Sequence, residues 1–223
     1  MAELHDTTEQ YLETILQIEE EGIRPLRARI VERLGLSAAA VSETINRLAH
    51  HGLVELRDDR SLHLTKKGRE LATQVIRRHR LAERLLTDVI GLEWEKVHRE
   101  ADRWEHVISD EVEQKLVELL GDPAVCPHGN PIPGARSVPR PERPLVPLAE
   151  ALPGDITVAR VAESLEADDE GLHLVAEARL IPGCRATVVA DGDDGVRVRS
   201  ATGEHVIPRD VARQMYVEAV EAD

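Results

Sequence analysis

Residues 25–64 read PLRARIVERLGLSAAAVSETINRLAHHGLVELRDDRSLHL, and the order of elements within them decides the fold. Pro25 suits a first helical position, apolar residues recur through Leu34, and Gly35 supplies the stop. Ser37 caps the next helix, which runs to about His50 with Val41, Ile45 and Leu48 inward; Gly52 ends it. Two alternating segments, 53–56 and 61–64, flank Arg57-Asp58-Asp59-Arg60, which reads as a hairpin turn. Two helices joined by a Gly-containing turn and followed by a hairpin predict a winged helix-turn-helix. A small helical domain with an appended hairpin is the plainer alternative. Upstream, another helix opens near Asp6 or Thr7, since Asp6-x-x-Glu9 and Thr7-x-x-Gln10 both fit a capping box, and Gly22 closes it.

Charge supports this module. The 223-residue chain carries −14 overall, which by itself argues against nucleic acid. Residues 24–80, however, hold 13 basic against 6 acidic side chains, a local +7, while residues 1–23 hold seven acids and no Lys or Arg. Backbone neutralisation of DNA needs such a block. The helix after Ser37 is then the recognition helix, with Ser37, Ala38, Ala39, Ser42 and Glu43 facing base edges. Alanines leave room for thymine methyls, and Glu43 can accept from cytosine N4. Arg27, Arg47 and Arg60 are candidate phosphate contacts. Four aromatics and no Phe disfavour base-stacking single-strand binding, and two cysteines, Cys126 and Cys184, make no disulfide framework. The lack of a long apolar run or a basic leader predicts a soluble, cytoplasmic protein that binds no membrane.

Downstream, Thr65 caps a long helix to about Ile90, another spans about 94–108, and Ser109 caps a last one ending at Gly121. These helices exceed what a winged helix needs and predict a homodimer on a palindromic double-stranded operator. A Pro- and Arg-rich linker follows, then short β-like pieces at 156–161, 172–177, 186–189, 196–198, 204–207 and 215–220, which suggest a small barrel. The expected architecture is mainly α with small β. It comprises a winged helix-turn-helix (1–65), a helical dimerisation and metal-binding domain (66–134), a linker (135–147) and an SH3-like β-barrel (148–223).

The chemistry lies in the middle. His79 and Glu83 are four apart on one helix, and His98, Asp102, Glu105 and His106 form an i, i+4, i+7, i+8 stripe on the next. A lone His–Glu pair reads as a surface contact, and a lone buried His as a satisfied core residue. Six such residues on consecutive helices point instead to a metal. Mixed N/O donors suit Mn2+, Fe2+, Co2+, Ni2+ or Zn2+, with carboxylate-rich shells favouring Mn2+ or Fe2+.

The runs His79-Arg80-Leu81-Ala82-Glu83-Arg84-Leu85-Leu86, Val97-His98, Arg103-Trp104-Glu105-His106-Val107 and Gly129-Asn130-Pro131-Ile132-Pro133-Gly134 closely resemble the diphtheria-toxin-repressor family of iron- and manganese-dependent repressors. The resemblance is strong over residues 1–134 and weak over 148–220. It implies an ancillary metal site of His79, Glu83 and His98, completed by Glu163 and Glu166, with Arg80 and Asn130 holding a nearby anion. It also implies a primary, activating site of Gln10, Asp102, Glu105 and His106. Here Gln10 replaces a Met and Asp102 a Cys of the iron regulators, exchanging soft sulfur for hard oxygen and shifting preference towards Mn2+. Gln10 also fits as the capping partner of Thr7. Glu43 replaces a Gln of the iron regulators' recognition helix.

These readings predict a non-enzymatic, metal-activated repressor of metal-homeostasis genes, with Mn2+ favoured and Fe2+ possible, and Co2+, Ni2+ or Zn2+ able to bind in vitro. Metal would join the first helix, through Gln10, to the helix at 94–108. An Fe2+-dependent iron regulator is the near alternative. A di-metal hydrolase on the same stripe is the remote one, since no nucleophile motif or phosphate loop accompanies it.

Overall fold

Helical periodicity and short β-branched runs set the elements, and the computed structural model describes residues 2–137, 141 and 143–220. Residues 138–140 and 142 of the linker, and 221–223 of the C-terminal segment, lie outside the described residues. The chain forms two compact units, one of Met1–Arg78 with Glu105–Val107, the other of His79–Trp104 with Ile108–Asp223.

In the first unit, α1 (Ala2–Glu20), α2 (Arg27–Leu34) and α3 (Ala38–His50) precede the antiparallel pair β1 (Val54–Leu56) and β2 (Leu62–Leu64). The core gathers Tyr11, Leu12 and Ile15 from α1, Ile30 from α2, Ile45 and Leu48 from α3, and Leu62 from the wing. Each such side chain contributes about 1.5–3 kcal/mol on burial. Ser37 caps α3 as expected, its hydroxyl accepting from Ala40 N at 3.2 Å. Two expectations fail. α1 begins at Ala2, so Asp6 and Thr7 are helix-interior residues: helical residues 2–5 precede them, which removes the need for a cap there. Pro25 stands outside α2, where its carbonyl accepts from Leu62 N of the wing at 2.9 Å.

α4 (Lys66–Leu85) begins in the first unit and ends in the second. In the second unit it widens into a π-turn over Leu86–Ile90, closed by Gly91 at φ 79°. A 3-10 turn (Trp94–Lys96) leads into α5 (Val97–Trp104), and α6 (Asp110–Leu120) follows. α5 stops four residues short of the expected end, because Ser109 takes extended backbone (φ −77°, ψ 162°) to cap α6. Glu105 and His106 therefore occupy a turn rather than the helical stripe.

The remainder is an antiparallel sheet ordered β3 (Val146–Pro147), β8 (Met215–Ala219), β4 (Gly154–Val161), β5 (Arg185–Gly192), β6 (Gly195–Ser200), β7 (Gly203–Ile207). β3 and β7 are not paired among the described residues, so the sheet is open rather than a closed barrel. Short helices α7 (Glu163–Glu166), α8 (Asp169–Glu177) and α9 (Arg209–Ala212) cross its connections. The expected strand at 172–177 is in fact helix: Asp168 caps α8 by accepting from Gly171 N, and Leu172 and Val175 are buried at a helical spacing of three. Six residues are too few to separate that period from a strand's. Among the described residues no helix is long and apolar enough to cross a membrane.

Candidate metal centre and nucleic-acid interface

Three helices far apart in sequence bring donors together in the second unit. His79 and Glu83, one turn apart on α4, meet His98 from α5 and Glu166 from α7, with ligand atoms all within 4.8 Å of one another and every residue buried. His98 Nδ1 is the focus. It lies 3.0 Å from His79 Nε2, 3.1 Å from Glu166 Oε2, 3.4 Å from Glu83 Oε1 and 3.7 Å from Glu163 Oε2. Asp102, half-exposed on α5, reaches in from the rim, with Oδ1 3.4 Å from His79 Nδ1 and 3.9 Å from His98 Nε2.

Two donors escaped the sequence reading. His128 is fully buried, its Nδ1 3.1 Å from Glu83 Oε1 and 3.0 Å from Glu166 Oε2, and Cys126 forms a second donor group with Glu83 and His128. The run Cys126-Pro127-His128 was the available signal, two soft-to-borderline ligands at close spacing. Local backbone fixes this loop. Cys126 N donates to Asn130 O at 2.8 Å, and Val161 N of β4 donates to His128 O at 2.9 Å. Gly129, at φ 86°, lies so close to β4 that a Cβ there would sit 2.2 Å from Ala159 O. Trp94 covers the imidazole at a centroid distance of 4.7 Å and donates from Nε1 to Pro127 O.

The electrostatics suit a cation. Burial alone would lower the pKa values of His98 and His128, but Glu166 and Glu83 outweigh it and hold both well above the ordinary imidazole range. Burial likewise opposes ionisation of Glu83 and Glu166, and the imidazoles outweigh it, Glu83 falling furthest. Burial pushes the Cys126 thiol up to about 12. Glu83 Oε2 and Glu163 Oε2 are buried without a hydrogen-bond partner, and Glu166 Oε2 approaches the two imidazoles without lining up for a hydrogen bond. Orphaned buried carboxylate oxygens are costly unless something positive meets them. The donor set fits a divalent ion.

Arg80 and Asn130, expected around an anion, are fully buried and meet glutamates instead. Arg80 Nε and Nη2 donate to Glu163 Oε1 at 3.1 and 2.8 Å, and Nη1 donates to Pro131 O. Asn130 Nδ2 donates to Glu166 Oε1 at 2.7 Å and to Val161 O.

In the first unit, His106 Nδ1 lies 2.8 Å from Glu9 Oε2, and its Nε2 lies 3.3 Å from Glu105 Oε1. Glu9 is buried and Gln10 exposed. Neighbouring helical residues point about 100° apart, so only one of the two can face His106, and it is Glu9. Asp102 belongs to the other unit.

The residues expected to meet nucleic acid are accessible. Ser37, Ala39 and Glu43 are exposed and Ser42 and Arg47 half-buried on or beside α3. Arg27 Nη2 donates to Asn46 Oδ1 at 2.7 Å, which ties α2 to α3. Arg60 adopts φ 65° in the wing turn, closed by Arg60 N to Arg57 O at 2.9 Å. Asp59 beside it ion-pairs with Arg24, and its carboxyl is held below the usual range chiefly by the Ser61 hydroxyl.

The family model for the iron dependent repressor N-terminal DNA binding domain matches residues 3–62, and that for the iron dependent repressor metal binding and dimerisation domain matches residues 65–134. The iron-dependent repressor IdeR of Mycobacterium tuberculosis is 46% identical over 230 residues, spanning 99% of this chain and 100% of the relative. The diphtheria toxin repressor of Corynebacterium diphtheriae is 43% identical over 226 residues, spanning 98% and 99%. A solved manganese-dependent transcriptional repressor in complex with manganese superposes with a TM-score of 0.82 at 33% identity, covering 96% of this chain and 100% of that one.

Proposed function

Since the chain belongs to the iron-dependent repressor family, whose members are metal-dependent DNA-binding repressors, we propose that it represses metal-homeostasis genes when loaded with Mn2+, with Fe2+ also accepted. One observation carries the reading: Oε2 of Glu83 and Oε2 of Glu163 are buried without hydrogen-bond partners in a cluster where Glu83 Oε1 and Glu163 Oε2 lie 3.4 and 3.7 Å from His98 Nδ1. His79, Glu83, His98 and Glu166 would hold one ion, with Glu163 and Asp102 at its edge. Glu105 and His106 remain proposed ligands in the first unit, with Glu9 in the place given to Gln10. A bound divalent ion supplies two positive charges to a site rich in carboxylates, and those oxygens are the hard donors Mn2+ favours.

The DNA-competent state must bind the ion more tightly than the alternative, since equal affinity shifts nothing. α3 would then read base edges through Ser42 and Glu43, while Arg27, Arg47 and Arg60 neutralise phosphates. A homodimer on a palindromic operator matches two such helices to two half-sites. Residues 1–65 would serve as the DNA-binding domain, 66–134 as the dimerisation and metal-binding domain, and the C-terminal sheet as an open SH3-like module. Gel-shift titration across a metal series tests this; equal operator affinity with a chelator present sinks it. Cys126 keeps Fe2+ as the second reading, because a thiol beside Glu83 and His128 offers the softer donor.

A further inference from the structure

We propose that Asn46 is a positioning residue for DNA: its side-chain carbonyl holds the Arg27 guanidinium ready for a backbone phosphate without cancelling its charge. The inference rests on the reading that α2 and α3 face DNA. Arg27 opens α2, and its Nη2 donates at 2.7 Å to Oδ1 of Asn46, an exposed residue of α3. An arginine only donates, so the Asn46 amide must turn its oxygen to Arg27. Arg27 Nε is buried without a hydrogen-bond partner, so one edge of the guanidinium lies against the protein. Nη1 and a second Nη2 hydrogen remain uncommitted, and a planar guanidinium suits phosphate oxygens.

The neighbouring arginines show why a neutral partner matters. Arg29 and Arg33, also on α2, end on carboxylates, the first on Glu32 at 2.7 Å and the second on Glu21. Those pairs cancel charge. Arg27 ends on an amide, which fixes its direction and leaves its full positive charge. Asn46 stands one helical turn beyond Ser42 and Glu43, so the guanidinium is held beside the same face of α3 that would read bases. Ordering a long side chain opposes binding, and a side chain already held before DNA arrives avoids most of that penalty. The gain amounts to about two- to ten-fold in affinity.

Full-length protein with saturating Mn2+ is titrated against labelled DNA duplexes of randomised sequence across a salt series, because phosphate contacts ignore sequence. Arg27→Ala should weaken binding and lower the salt slope by about one. Asn46→Ala should weaken binding about two- to ten-fold in the wild type and have almost no effect beside Arg27→Ala, as expected of residues acting through one contact. Asn46→Asp separates positioning from scaffolding. It keeps the acceptor and the tie between α2 and α3, so the melting temperature should not fall. Its carboxylate cancels the Arg27 charge, so it should weaken DNA binding more than Asn46→Ala and lower the salt slope. A purely structural tie predicts the opposite order, with Asn46→Asp binding like the wild type, and that result overturns the proposal. So does an Asn46→Ala protein of wild-type affinity, or an Asn46→Ala loss that persists beside Arg27→Ala. An Arg27→Ala protein with unchanged affinity and slope, or a wild type that binds no duplex, sinks the DNA-face reading instead.

Discussion

Acidification from about pH 7.5 to about 6.5 should weaken metal binding at the second unit's cluster steeply, because the ion must displace protons already there. Glu83, Glu163 and Glu166 with Arg80 leave two negative charges, and His98 and His128, both held well above the ordinary imidazole range, supply two positive ones. A divalent ion brings two positive charges to the same carboxylates and is expected to displace both imidazolium protons. Exchange of two protons lowers affinity about 100-fold per pH unit, or ~2.7 kcal/mol. Calorimetric titration with Mn2+ in buffers of different ionisation enthalpy counts the released protons directly. A count below one refutes the charge balance. Stability gives a cross-check of opposite sign. Raised imidazole pKa values stabilise the metal-free protein at low pH, and that contribution is lost as pH rises through the folded values. The lowered Glu83 and Glu166 contribute stability that is lost only as pH falls below the usual carboxylate range. Metal-free protein should melt earlier as pH climbs above neutrality, and metal-loaded protein later.

Cys126→Ser should leave Mn2+ affinity within about three-fold but weaken Zn2+ more than about ten-fold, since only a softer ion repays deprotonating a thiol held near 12; competition titration separates the two. Asp102→Cys should move the metal ranking towards Fe2+ and Zn2+ in the same assay, and an unchanged ranking would count against donor hardness. Arg60→Ala should weaken all DNA sequences alike and reduce the salt slope by about one, whereas Glu43→Gln should cost about 1–3 kcal/mol at one base pair only, both read by binding isotherms. Gly129→Ala should destabilise the protein and the metal site together, because its Cβ would strike Ala159 O at a positive φ; thermal melts with and without Mn2+ report it.

Legibility in the sequence followed the length of the periodic signal. α3 with its Ser37 cap and the wing were readable because cap, period and turn residues agreed. α8 was not, since its six apolar-patterned residues fit two periods equally. The donors His79, Glu83 and His98 stood out by helical spacing, and the structure assembles them with Glu166. His128 and Cys126 lie in a loop, where spacing has no period to reveal a shared face; their placement depends on β4, through the bond from Val161 N to His128 O, which joins residues 33 apart in the chain. The family resemblance points to Gln10, but only the helix's azimuth decides between adjacent residues, and it turns Glu9 towards His106.

The loop that presents His128 carries a set of main-chain bonds: Cys126 N to Asn130 O, Gly129 N to Cys126 O, Ile132 N to Ala124 O and Val161 N to His128 O. None of these bonds involves a donor side chain. The donor atom offered at positions 126 and 128 can therefore change while these main-chain bonds stay in place. In evolutionary terms, ion preference is a side-chain trait mounted on an indifferent frame, so single substitutions can retune it among descendants that share one architecture.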